Sequence, residues 1–545
     1  MEVKKFLNKY FWEIIVIAIG SIFAYVLTFG TFVKQNNTLF IASKAWSDFA
    51  SHIPLVRSFS LGSNFPPQYP LFPGEPIKYH FIFYSAVGFL EKLGIPIDVA
   101  LNSLSFLGFL FLVFIIYFFA SKVFKSKAVG ILSTVFFLFN SSLSFVYFFQ
   151  KYGLSTETIN QIISNKDFLS FAPYGQGIVS AFWNLNIYTN QRHLAISYGL
   201  SLLLIYLIIK PLLGEKKISF NWQVILGVLL GLSFFLHTAV LLMTLIILGC
   251  FTIAFPKIRK ECLTILIIAA VFAFPQYLYS KGDFGFSPKI AVGYLVTNGL
   301  TIQKFIQFWI YNLGLSFILI PLGFLASDKF QRKILFSFFI LFLIGNLVQF
   351  SPEIAANHKF FNYFIIVGNM FSAFLLVKLW KRRGLFKPLV IAFIFFMTLG
   401  GIIDFFPIFN DSKVAIADYE INPDANWIKN NTPPNSIFLN TTFIFDPASL
   451  AGREIFQGWP YFAWSQGYNT DQRGEMMKQI LGAQKKQTAC NLLQQNNINY
   501  VEIKIQNPPD PDIPRISDIY NTQFKKSYEN KLENYWIIKV KDNCK

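Results

Sequence analysis

Five histidines occur in the chain, His52, His80, His193, His237 and His358, and most stand beside a group with which an imidazole can share chemistry. The stretch Trp46-Ser-Asp-Phe-Ala-Ser-His-Ile-Pro-Leu-Val-Arg sets Asp48 and His52 four residues apart. On a helix they share one face. A carboxylate and an imidazole so placed can work as a catalytic acid/base couple or as two ligands of a divalent metal, and a capping role for Asp48 is the plain alternative. Any metal falls to that pair, and nothing else in the sequence asks for a cofactor. Arg57, on the same stretch, reads as a phosphate-binding cation, with lipid headgroups as the competing partner. His80 follows a proline-rich run, Phe65-Pro-Pro-Gln-Tyr-Pro-Leu-Phe-Pro-Gly-Glu-Pro. It heads an apolar segment that is too short to span and stops at Gly94 and Pro96, which predicts a juxtamembrane or re-entrant helix with His80 and Tyr79 facing a cavity.

Two other places pair an imidazole with a permanent cation. Arg192-His193 precedes an apolar run, and Ser351-Pro-Glu-Ile-Ala-Ala-Asn-His-Lys precedes another, holding Glu353, His358 and Lys359. Cations beside apolar segments suit a phosphate that gains charge as a leaving group departs, and Arg can hold it through two bonds. Snorkelling at a helix end is the competing reading of Arg192. His237, in Phe-Leu-His-Thr, sits at the expected tip of a helical hairpin as a further substrate-binding candidate. Asp404, near the end of the last apolar run, is a charge at membrane depth.

These residues need elements to carry them, and the composition says what kind. The chain has 545 residues, 54% of them hydrophobic and 14% charged. So little charge cannot cover the surfaces of three or four soluble domains, so the fold expected is an α-helical polytopic membrane protein. Hydropathy predicts eleven transmembrane helices, at 11 to 33, 98 to 120, 128 to 149, 193 to 213, 222 to 236, 238 to 256, 262 to 279, 303 to 326, 332 to 350, 360 to 380 and 386 to 408. The net charge of +18 then finds its explanation. With the N-terminus cytoplasmic, the loops on that side hold 20 of the 47 basic residues and four acids. This is the positive-inside pattern and no nucleic-acid footprint. Those loops are too short for a nucleotide site and carry no GxxxxGK[ST], which excludes ATP-driven transport.

The long connections fall outside: a first external loop of 34 to 97, then 150 to 192, 280 to 302, 351 to 359, and a tail from 409. Residues 1–408 read as the catalytic membrane domain and 409–545 as a small extracytoplasmic α/β domain, with helices near Asp424 and from Arg473 to Gln495 and strands at Ser436-Ile-Phe-Leu-Asn, Tyr500-Val-Glu-Ile-Lys-Ile and Tyr535-Trp-Ile-Ile-Lys-Val. Cys490 and Cys544 share that domain and an oxidising compartment, so a disulfide between them is open to it. The plasma membrane is the expected location.

The layout resembles the GT-C superfamily of polytopic glycosyltransferases, which includes protein O-mannosyltransferases and lipid A aminoarabinose transferases. The resemblance rests on the acid in a long first loop, the His80-headed juxtamembrane helix, Lys92-Leu-Gly-Ile-Pro before the second span, cytoplasmic Ser121-Lys-Val-Phe, and the α/β tail. It implies that Asp48 takes the acceptor's proton or, as in oligosaccharyltransferase relatives, binds a metal. Three departures stand against the pattern: Ser47-Asp48 replaces two adjacent acids, His80-Phe81-Ile82 replaces His-Pro-Pro, and Thr189-Asn-Gln-Arg-His has no acid where relatives often place a second. The activity expected is transfer of a sugar from a polyprenyl-phosphate donor to an extracytoplasmic lipid, glycan or protein in cell-envelope glycosylation. The alternatives are a lipid-linked saccharide transporter or ligase and a non-catalytic assembly protein.

Overall fold

The computed structural model describes residues 2–168, 177–282, 287–296, 299–382, 384–506 and 511–544. Each segment expected to span is helical over most of its length, and the chain is a multi-pass membrane protein. Among the described residues seven helices are long and apolar enough to cross a membrane, and an eighth crossing results if Ile302–Leu313 and Ser316–Ala326, bent by 87°, count as one. The figure of eleven is reached only by adding three shorter apolar helices, Lys127–Leu138, Phe220–Phe235 and Thr238–Ala254.

Two compact units emerge: Met1–Thr31, Asn102–Gln276 and Pro288–Ser412 form the first, and Phe32–Leu101, Tyr277–Ser287 and Lys413–Lys545 the second. In the first unit one helix is the hub. The Ile354–Trp380 stretch has 89% of its apolar window buried, against 22% for Pro256–Lys281. Lipid gives apolar helices no hydrophobic reason to associate, so small and polar residues must hold them. A Cβ on Gly345 would stand 2.8 Å from the Phe361 ring. Tyr363 donates to Ser201 Oγ (2.5 Å), which pairs with Thr244 (2.6 Å), and Ser316 donates to Asn369 Oδ1 (2.8 Å).

Two expected spans are broken, and the freed backbone groups explain how that is tolerated. The third stops at Leu138 and resumes as Ser144–Tyr152. Across the gap, Leu143 N–H donates to the Tyr311 carbonyl (2.8 Å), Gly400 N–H donates to Ser141 Oγ (2.9 Å), and Asn140 donates to the Trp183 carbonyl (2.8 Å). The eighth breaks at Gly314, whose φ of 54° suits glycine. Non-helical backbone at this depth persists only when neighbouring helices satisfy it, as here. Asp404 lies beside this node, buried and hydrogen-bonded to Asn184, Ser144 and Ser180.

The second unit joins the first loop to the tail. The sequence reading kept residues 34–97 with the spans, but Thr38–Ala42 pairs antiparallel with Lys413–Ala417 over five residues and with Phe32–Gln35 on its other edge. Asn36 and Asn37, both at positive φ, make the hairpin turn. The tail's own five-stranded sheet contains Ile437–Leu439, Tyr500–Lys504 and Tyr535–Lys539, with helices Thr470–Leu481 and Lys486–Gln495. Cys490 and Cys544 form a disulfide. The aromatic run around Gly458 packs on the proline-rich stretch: Ile455 N–H donates to the Pro70 carbonyl (2.9 Å), Gly458 N–H to the Leu71 carbonyl (2.8 Å), and Tyr69 stacks on Tyr468 at 5.2 Å.

Beneath that sheet Asp446 and Glu502 are buried together. Tyr535 donates to Glu502 Oε2 (2.6 Å), and Asp446 Oδ1 accepts from Ala448 N–H (2.9 Å). Burial, and then the Asp446 charge, hold the Glu502 carboxyl well above the ordinary range, and burial pushes Asp446 up to about 6. Both folded values lie above the unfolded ones, so the folded chain holds the extra proton and loses stability as pH rises from about 4 through 6 and beyond. Glu502→Gln should flatten that slope and leave the chain more stable than wild type at pH 8, read by thermal unfolding at pH 5 and 8.

Candidate functional site

In the first unit, three long helices bring their N-terminal ends together. His193 is the residue before Leu194–Ile209, His237 the residue before Thr238–Ala254, and His358 the first residue of His358–Trp380. The His193 and His237 rings lie 5.2 Å apart, both buried. Lys359 is within electrostatic reach of both His237 and His358. Tyr198 ties the first and third helices by donating to the Lys359 carbonyl (2.7 Å). His358 is held by Asn362, whose Nδ2 is 3.2 Å from its Nδ1, and by the Phe182 ring at 4.8 Å.

Arg192 is 1% exposed. Its Nε donates to the Thr189 carbonyl (2.8 Å), Nη2 to Thr31 Oγ1 (2.7 Å) and Nη1 to Asn102 Oδ1 (3.4 Å). A fourth bond, from Nη2 to the Thr28 carbonyl (3.5 Å), helps to fix the guanidinium. Each helix N-terminus adds about half a positive charge and N–H groups without helical partners. The buried Arg192 and the half-buried Lys359 stand at such ends, a setting that suits an anion. Arg192→Gln should weaken binding of a lipid phosphate by about ten- to a hundredfold, the scale of a lost charged hydrogen bond, while Arg192→Lys retains part of it. Co-purified lipid phosphate, quantified per protein, reads this.

Two expected members do not serve that cluster in the way foreseen. The Glu353 carboxylate accepts from Ala355 N–H (3.0 Å) and caps the short turn Ile354–Asn357. Arg57 lies in the second unit with its charge matched inside: Nη2 to Asp418 Oδ2 (2.8 Å), Nε to Glu91 Oε1 (3.2 Å), and the guanidinium over the Tyr419 ring at 4.6 Å. The Lys413–Ala417 strand delivers Asp418 and the Ile82–Lys92 helix delivers Glu91, partners far away in sequence.

The second unit also carries Asp48, His52 and His80. Asp48 and His52 lie on the Trp46–Ser60 helix, as the spacing predicts, with Asp48 half-buried in its first turn. His52 is buried and stacks on Tyr84 at 4.5 Å, a contact that fixes the plane of its ring. His80 precedes the Ile82–Lys92 helix, its ring 3.7 Å from that of Tyr79. Burial and then the charge of Asp48 hold the Tyr79 phenol well above its ordinary value. A half-buried carboxylate one turn from a fixed imidazole suits proton abstraction, and the same two groups could hold a divalent ion. Tyr84, Thr31 and Asn102 had no signal of their own in the sequence, because tyrosines are everywhere in this chain and the threonine and asparagine meet Arg192 only in the fold.

No protein-family profile matches the chain, and no curated protein resembles it in sequence. Among solved structures its neighbours include those of the Archaeoglobus fulgidus oligosaccharyltransferase. The archaeal AglB complex with an inhibitory peptide and a dolichol-phosphate is 11% identical, with TM-score 0.42, over 91% of this chain and 70% of that one. The form tethered to an acceptor peptide is 13% identical, with TM-score 0.43, over 92% and 70%. The complex with Zn and sulfate is 13% identical, with TM-score 0.45, over 90% and 68%.

Proposed function

We propose that this chain is an integral membrane glycosyltransferase that moves a sugar from a polyprenyl-phosphate donor to an extracytoplasmic acceptor. The observation that carries the reading is the cluster of buried Arg192, His193, His237 and His358 with half-buried Lys359 at three helix N-termini, a place suited to a lipid-borne phosphate. The basic loops support a cytoplasmic N-terminus and an outward-facing tail, 409–545. Sugar nucleotides are cytosolic, so a transferase working outside needs a donor that has crossed the bilayer. In the reaction the bond between the anomeric carbon and the phosphate oxygen breaks, its electron pair staying on the phosphate. Arg192 and Lys359 stabilise that charge. The acceptor's hydroxyl oxygen joins the anomeric carbon and its proton passes to Asp48.

Membranes holding the chain, incubated with radiolabelled polyprenyl-phosphate sugars, test this. Label in an acceptor supports it. Donor that crosses the bilayer intact points to a transporter, and donor left untouched points to an assembly protein; either result ends the transferase reading. An EDTA arm separates the two roles of Asp48 and His52, since only a metal site loses activity to the chelator.

A further inference from the structure

A cavity of about 910 Å³ opens in the second unit between the Thr470–Leu481 helix and residues 511–519. Its size is that of small-molecule sites generally. Phe443, Met477 and Ile519 belong to the unit's apolar core and give the cavity a carbon floor. Set in that floor is Gln457, 2% exposed, whose Oε1 accepts no hydrogen bond. A buried amide oxygen left so is costly, and a ligand hydroxyl or N–H would satisfy it. Gly474 faces the same space from inside the helix, where glycine is unfavourable. Packing does not demand it: a Cβ there would meet nothing nearer than Gln457 Oε1, at 3.8 Å. A side chain at 474 would cover that oxygen. The rim holds Lys478 and Arg515 against Asp512 and Asp518, so donors and acceptors alternate with no net charge.

We infer that this cavity binds a neutral saccharide, with Gln457 Oε1 accepting from a sugar hydroxyl and Gly474 kept small to leave that oxygen open. Hydroxyls supply donors and acceptors at the close spacing the rim requires, and the ring's C–H face suits Met477 and Phe443. The balanced rim offers a phosphate or an acidic sugar no net attraction. This goes beyond the transferase reading, because binding is read without turnover.

The test is calorimetric titration of the full chain in detergent with chitobiose, mannobiose and maltose, and with inorganic phosphate and digalacturonate as anionic probes. At least one neutral disaccharide should bind with Kd of about 1 mM or tighter, and Gln457→Leu and Gly474→Leu should each weaken it tenfold or more. Gly474→Ala guards against misfolding: it should raise the unfolding temperature, as a better helix former, and still weaken binding. No neutral disaccharide bound at about 10 mM, equal binding in both leucine variants, or binding of the anions alone would each overturn the inference. Binding retained in a chain that transfers no sugar would sink the transferase proposal and leave this one standing.

Discussion

Membranes carrying Asp48→Asn should hold the protein at the wild-type level, unfold it at the wild-type temperature, and transfer sugar slower by about 10²- to 10⁴-fold, the usual worth of a positioned base. The substitution keeps the shape of the side chain and an acceptor oxygen, so it removes proton affinity and little else. No neighbour can take over. The Tyr79 phenol is held protonated by burial and by Asp48 itself. His52 is buried with its ring against Tyr84. Donor lipid should still co-purify with the variant, because the cluster of Arg192 and Lys359 is untouched. Rate and lipid content measured on one preparation therefore separate the base from the phosphate site, and wild-type transfer by Asp48→Asn would remove the base from the mechanism.

Local patterns carried the secondary structure of this chain and long-range pairing decided its organisation. Apolar runs located the long helices of the membrane unit, because a run of about 20 apolar residues has few other fates. They could not show that two runs break, since Asn140-Ser-Ser and Gly314 become tolerable only through bonds to helices distant in sequence. In the tail, the helices from Asp424 and over Arg473 to Gln495 and the strands at Ile437–Leu439, Tyr500–Lys504 and Tyr535–Lys539 followed from alternation and turn residues, whereas the strands Lys413–Ala417 and Lys526–Asn530 did not. The hairpin turning at Asn36-Asn37 fell at the start of the first external loop, where no strand was expected. At the site, adjacency placed Asp48 with His52 on a helix and Arg192 beside His193. What the spacing could not tell was which cations are already matched. Arg57 and Arg192 look alike in sequence, each beside apolar residues, and only the fold shows Arg57 between two carboxylates and Arg192 bonded to Thr28, Thr31, Asn102 and Thr189.

That contrast sets the second large expectation, for Arg57→Met. Arg57 and Asp418 are both fully buried, 2.8 Å apart, with Glu91 on the other side of the guanidinium. Lys34 reaches Asp418 (2.7 Å) and Glu420 (2.6 Å) from the sheet. Methionine fills much of the arginine's volume but leaves two buried acids with one cation between them, a loss of about 3–5 kcal/mol in stability. Burial pushes the Asp418 carboxyl up, and Arg57 and Lys34 more than reverse this, so it sits below its ordinary value. Its contribution is therefore present above the usual carboxylate range and lost as pH falls through the depressed value. Without Arg57 that value climbs, and acid unfolding of the variant should begin at higher pH than in wild type. Burial already lifts Glu91 and Arg57 offsets part of it, so its carboxyl should rise further and take up a proton. Removing the opposite charge as well, in Arg57→Met/Asp418→Leu, should recover part of the loss, because the penalty is an unmatched buried charge. Thermal unfolding in detergent from pH 4 to 7 reads all three chains. If Arg57→Met unfolds with wild type at every pH, these charges are solvated, and Arg57 returns to the residues able to meet a phosphate.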